Sequence, residues 1–187
     1  VTVIAAIHDP RTGRAWMQAD TRAVAGSAIV SSTVQKVARH GLALIGGSGP
    51  AAITGFVRRR APDLEPGQDV EDYLERLSDA WVEWSAHNGL DTVHDGRTFR
   101  EGDLLVATPY GLWGIGGDRS IAQHDGYMAI GSGYCEAMGA LYATRACDPE
   151  FRLRVAIEAA CLLDTGCAGM GELFEVQAPM RIGEAAK

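Results

Sequence analysis

The chain has 187 residues, enough for one domain with a substantial core and too few for a second independent one. Its 24 Asp and Glu against 17 Lys and Arg give a formal charge of -7, which argues against a nucleic-acid footprint and against an anionic membrane surface as partner. No apolar run reaches the roughly 20 residues that span a bilayer, and "VTVIAAIHDP" lacks the basic start of a secretion signal. The four cysteines, Cys135, Cys147, Cys161 and Cys167, form no CxxC pair and have no histidines at zinc spacing. A cytoplasmic protein with reduced thiols, no metal and no organic cofactor is expected.

In chain order, "TVIAAI" is a β-branched run, "HDPRTG" has hairpin-loop chemistry, and "RAWMQADTRAV" reads as the returning strand. "TVQKVARHG" and "LALIGGSG" give two further extended segments, the second apolar throughout and therefore buried on both faces. Pro50 opens a helix over "AAITGFVRRRAP" that Pro62 closes. In "DVEDYLERLSDAWVEWSAHNG", Val70, Tyr73, Leu74, Leu77, Trp81 and Trp84 recur at three and four residues, the signature of a helix with one apolar face, and Gly89 stands at its stop. Three strands are predicted next, "DLLVATP", "GLWGIGG" and "YMAIGSG", the first two joined by a short turn. Helices over "YCEAMGALYATRA" and "EFRLRVAIEAACLLD", the latter capped by Asp148 and Pro149, precede a last strand in "ELFEVQ". A polar tail begins at about residue 178. Strands, two helices, strands, two helices and a strand indicate a single α+β domain over 1–187; a four-layer αββα sandwich would bury all these faces, and propensity alone does not single it out from other α+β arrangements.

One stretch raises a chemical question. "QADTRAVAGSAIVSSTVQK" joins Asp20 to Lys36, sixteen residues apart, and leaves that lysine among Ser31, Ser32, Thr33, Val34 and Val37, where a hydrated ammonium is poorly served. A surface pair would contribute under about 1 kcal/mol and explain nothing. Taken singly, Thr2 is a strand residue and Ser132 part of a helix entry. "GGSGP" and "GIGGD" lack a P-loop lysine or a full GxGxxG, so nucleotide binding is not expected. His8, His40, His87, His94 and His124 lack zinc-helix spacing, and the Tyr73, Trp81, Trp84 stripe reads as core or subunit contact.

Taken together, "TVIAAI", "QADTRAV" with "VQKVAR", "LIGGSG", "AIGSGYCEAMGAL" and "AIEAACLLDTGCAG" resemble, in this order and over nearly the whole chain, the proteasome β subunits and their HslV-type bacterial relatives. These are N-terminal-nucleophile hydrolases with the αββα sandwich. The resemblance implies that Thr2 is the nucleophile with its own α-amine as base. An α-amine titrates near about 8, against roughly 10.4 for a lysine, and so accepts a proton at neutral pH. It implies further that Lys36 sits beside the threonine hydroxyl, that Asp20 pairs with Lys36, and that Arg22 supports this polar core. In "IGGSG" the expected oxyanion donor is the Gly47 amide, with Gly46 and Ser48 beside it. Ser132 and Asp164 match the pair that holds the terminal amine, and Cys167 stands where the family commonly has serine, a poorer hydrogen-bond partner.

The implied function is a threonine peptidase in a self-compartmentalising homo-oligomeric ring acting on peptides or unfolded protein, with an ATPase ring left open as a partner. Val1 precedes Thr2, so the mechanism requires removal of residue 1. If Val1 persists the chain is unprocessed or inactive, and a register with Val1 at the nucleophile position would make it a dead relative. The alternatives are a non-catalytic ring subunit and an N-terminal-nucleophile amidase acting on a small amide.

Overall fold

A computed structural model describes residues 2–25, 28–94 and 97–179. Strands β1 (Ile4–Asp9) and β2 (Arg14–Ala19) form the expected hairpin, with Ile4 opposite Ala19 and Asp9 opposite Arg14. Two short strands, β3 (Ala23–Ala25) and β4 (Ala28–Ser31), pair only with each other. β5 (Val37–His40) and the fully buried β6 (Ala43–Ser48) follow. Helices α1 (Ala52–Arg59) and α2 (Val70–His87) lead into a separate hairpin of β7 (Asp91–His94) and β8 (Arg97–Arg100). Then come β9 (Asp103–Thr108), β10 (Gly111–Ile115), β11 (Ile121–His124) and β12 (Tyr127–Ile130). Helices α3 (Tyr134–Ala143) and α4 (Pro149–Leu163) and strand β13 (Phe174–Gln177) complete the described chain.

Two antiparallel sheets result, one in the order β12-β1-β2-β13 and the other β11-β10-β9-β6-β5. Because alternate residues of a strand face opposite sides, Ile4, Ala6 and Met17 of the first sheet meet Leu44, Leu105 and Leu112 of the second in a dry central layer. The outer faces are covered by helices. Phe56, Leu74, Leu77 and Trp81 pack on Ile45, Leu104 and Val106, while Leu141, Leu153, Ile157 and Ala160 pack on Val3, Ala5 and Trp16. Each large side chain so buried contributes roughly 1.5–3 kcal/mol. The stack is the expected αββα sandwich.

Local signals set the helix starts. The Asp69 carboxylate accepts the N–H groups of Glu71 and Asp72, and that of Asp148 accepts from Phe151 with Pro149 in the first turn. Caps of this kind are worth about 1 kcal/mol. Tyr73 and Trp81 are buried in the chain's own core, and Trp84 is half-buried against Phe56 with ring centroids 5.6 Å apart. The stripe is therefore core, and Trp81 is not available for contact with another subunit. The returning strand also ends earlier than its sequence suggests, at Ala19: beyond it the Val3 N–H goes to the Asp20 carboxylate, and the N–H groups of Thr21 and Arg22 go to the Ala168 carbonyl.

Candidate active site

The site lies at the mouth between the two sheets, where β1 begins and β2 ends. Asp20 donates its N–H to the Val3 carbonyl at 3.0 Å, extending the β1–β2 ladder by one step and bringing Thr2 beside the end of β2. The Asp20 carboxylate is fully buried and collects four donors. Oδ1 accepts the Val3 N–H at 2.9 Å and Lys36 Nζ at 2.7 Å; Oδ2 accepts the N–H groups of Arg22 at 3.1 Å and Ala168 at 3.3 Å. Ionic groups lose several kcal/mol of hydration on burial, and such a set of charge-assisted bonds is what offsets the loss.

Lys36, only 3% exposed, precedes β5 and reaches inward to donate to Thr2 Oγ1 at 2.9 Å as well as to Asp20. Its uncharged sequence surroundings are thereby explained: the ammonium is served inside the protein, with the Thr2 hydroxyl and the Asp20 carboxylate among its partners. Among the described residues it is the Thr2 hydroxyl that faces the Lys36 ammonium. Ser132, at the end of β12, accepts a hydrogen bond from the Thr2 main-chain nitrogen at 3.2 Å and donates to the Thr2 carbonyl at 3.4 Å.

Asp164, at the end of α4, accepts the Gly166 N–H at 2.9 Å and the Cys167 thiol at 3.5 Å. The Ser132 hydroxyl, first, and the Gly166 N–H hold its carboxyl below the usual range against the opposing effect of burial. A carboxylate with a lowered folded value stabilises the fold above the unfolded value near about 4 and loses that contribution as pH falls through the folded one. Arg22 closes the group from the other side, its guanidinium donating to the Thr165 carbonyl at 3.0 Å.

Of the residues expected from sequence, Thr2, Asp20, Lys36, Ser132 and Asp164 come together, with Arg22 and Cys167 around them. Gly47 lies on the wall of a cleft of about 90 Å³ shared with Thr2, Lys36, Ala23, Val34 and Thr54, and its N–H donates to the Lys36 carbonyl at 3.3 Å. Ser48 is buried opposite Asp103 and is not among the residues lining that cleft. Ser132 also borders a larger hollow of about 520 Å³ that reaches Asp103 and Tyr134.

The sequence reading missed Gly131 and Ala168. Gly131 has φ +96, and a methyl group there would overlap the Thr2 carbonyl oxygen, so only glycine lets the end of β12 approach the Thr2 backbone this closely. The glycine before the serine in "IGSG" was its only signal. Ala168 contributes a main-chain N–H, which no side-chain motif records.

No family model matches the sequence, and no curated protein does. Solved structures do. BPH from Thiobacillus denitrificans is similar over 96% of this chain and 100% of its own, with TM-score 0.74 and 22% identity. The same protein in complex with epoxomicin gives TM-score 0.72 at 20% identity over the same shares. HslV from Trypanosoma brucei gives 0.70 at 18%, over 94% and 99%. The chain has the proteasome-β fold. At these identities the likeness concerns backbone architecture, and within the proteasome-β fold the buried threonine, lysine and aspartate of this chain stand on the geometry given above.

The site's cysteine is testable on its own. Cys167 is 1% exposed, and burial, with the charges of Asp20 and Asp164, pushes its thiol up to about 12, while Cys135 and Cys147 are exposed. Because the thiolate is the reactive form, iodoacetamide at pH 8 should label Cys135 and Cys147 at least about a thousand-fold faster than Cys167. Peptide mapping by mass spectrometry reads the order, and early labelling of Cys167 would contradict the closed geometry.

Proposed function

We propose that the chain is a threonine-type peptidase subunit, working in the cytoplasm within a homo-oligomeric ring on peptides or unfolded protein, with Thr2 as nucleophile once residue 1 has been removed. The observation that carries this reading is the buried line from Asp20 Oδ1 to Lys36 Nζ, 2.7 Å, and on to Thr2 Oγ1, 2.9 Å. A fixed ammonium donating to a hydroxyl stabilises the alkoxide that must form for attack, in a site where water does not screen it.

In the proposed reaction the free α-amine of Thr2 takes the proton from Oγ1, directly or through one water, as Oγ1 bonds to the carbonyl carbon of the scissile peptide. Ser132 Oγ, which lies 3.2 Å from the Thr2 nitrogen, orients that amine. The carbonyl oxygen becomes an oxyanion and takes the Gly47 N–H, since a charge-assisted bond exceeds the long one now made to the Lys36 carbonyl. Collapse breaks the C–N bond, and the α-ammonium returns its proton to the leaving amine. Water then attacks the acyl-threonine ester with the same amine as base, releasing the acid and restoring Oγ1–H. Every proton is accounted for within Thr2, the water and the substrate, with Lys36 charged throughout.

The test uses purified chain whose intact mass shows Thr2 at the terminus. It should hydrolyse fluorogenic peptides, lose that activity to a peptide boronate, and scatter light as a large multiple of 19.9 kDa. A free Thr2 with neither turnover nor inhibitor uptake would overturn the peptidase reading and make the non-catalytic ring subunit the better one.

A further inference from the structure

The return of the β7–β8 hairpin into β9 touches the end of β6 in an unusual way. The hairpin's base is held by an Arg100–Asp91 ion pair at 3.4 Å, with the Arg100 side chain 7% exposed, and by N–H bonds from Arg100 to the Gly117 carbonyl and from Glu101 to the Leu90 carbonyl. The β6–β9 register runs out at Ser48 opposite Asp103. One residue beyond, two glycines with positive φ meet, Gly49 at +126 and Gly102 at +103. A methyl group on Gly102 would overlap both the Ser48 carbonyl oxygen and Ile53 Cδ1, and one on Gly49 would lie 2.7 Å from the Gly102 Cα. Ile53, in the first turn of α1, is fully buried against both. Next to this contact along β6 is Gly47, which lines the cleft and holds the Lys36 carbonyl.

We propose that Gly102 is a positioning residue for the site: by letting the hairpin's return segment sit directly on Ser48 and Gly49, it fixes the end of β6 and, through Gly47, the main chain of Lys36. The proposal rests on the peptidase reading for its effect on rate but not for its effect on Gly47. A side chain at position 102 has to push Ser48 away, since the obstacle is backbone rather than a flexible side-chain tip. The displacement passes to the next residue inward, and misplacement by about 1 Å in such an arrangement costs up to about a hundred-fold in rate.

The experiment compares Gly102→Ala with Gly67→Ala. Gly67 also has positive φ, +82, but nothing lies within 4 Å of a methyl group there, so it carries the conformational penalty without the contact. In Gly102→Ala, kcat should fall at least ten-fold and boronate affinity with it, while KM changes less than about three-fold; Gly67→Ala should match wild type. Independently of activity, amide hydrogen exchange at Gly47 should accelerate at least ten-fold in Gly102→Ala alone. If Gly102→Ala does not fold, Ile53→Val, which deletes only the methyl wedged against both glycines, should accelerate Gly47 exchange more than Gly67→Ala does. Wild-type exchange at Gly47 in Gly102→Ala, or in Ile53→Val where that variant has to stand in, overturns the proposal. Accelerated exchange in a protein that turns over no peptide overturns the peptidase reading and leaves the brace standing.

Discussion

Thr2→Ala is expected to abolish peptide hydrolysis, by at least about ten-thousand-fold in kcat, while lowering stability by only about 1 kcal/mol. The exchange removes one methyl and one hydroxyl. Lys36 keeps its 2.7 Å bond to Asp20 and loses a single acceptor, so the fold retains its buried ion pair. Thr2→Ser, which preserves the hydroxyl, should retain measurable turnover. Lys36→Ala should be about as damaging to rate as Thr2→Ala, and the double variant little worse than either, because groups that act as one unit give non-additive losses. Steady-state kinetics on one fluorogenic peptide, with urea unfolding of each variant, separates rate from stability. Wild-type turnover by Thr2→Ala would remove the nucleophile assignment altogether.

The second large effect falls on stability. Asp20→Ala should cost about 3–5 kcal/mol, because it strands the Lys36 ammonium in the interior together with the N–H groups of Val3, Arg22 and Ala168. Against a total of about 5–15 kcal/mol for a domain, that is enough to unfold a large fraction at 37 °C. Lys36→Met on the Asp20→Ala background removes the stranded ammonium and should recover part of the loss, leaving the cost of the unpaired N–H groups, while the double variant stays inactive. Urea midpoints measure the recovery. An Asp20→Ala chain as stable as wild type would mean that the carboxylate is not the hub its four bonds describe.

The helices were legible because their burial is periodic: Tyr73, Leu74, Leu77 and Trp81 recur at helical spacing and are all buried. The β1–β2 hairpin and β6 were legible for a different reason, as short apolar runs between turn residues that are buried on both faces. What did not show are the elements that bury little. Most residues of β4 and of β11 are exposed, so they carry no alternation, and among the described residues the β7–β8 hairpin pairs only with itself. For the site, Thr2, Asp20, Lys36, Ser132 and Asp164 were reached through the family resemblance of the motifs that carry them, not through the residue types taken singly. The main-chain donors of Val3 and Ala168, and the close approaches at Gly131 and Gly102, are set by tertiary placement and leave almost no trace in residue type.

The Asp20 carboxylate has one further consequence, for the order of events as the chain folds. Its partners come from positions 3, 22, 36 and 168, and the Thr2 nitrogen meets Ser132 across 130 residues of sequence. Contacts of such long range form late, after loop-closure entropy has been overcome by the sheets themselves. On the peptidase reading, a nascent or half-folded chain would therefore have a threonine but nothing to activate it. Under the proposed function, reactivity at Thr2 would appear only once the loop from Asp164 to Ala168 has docked, and an unfolded chain would attack neither itself nor its neighbours.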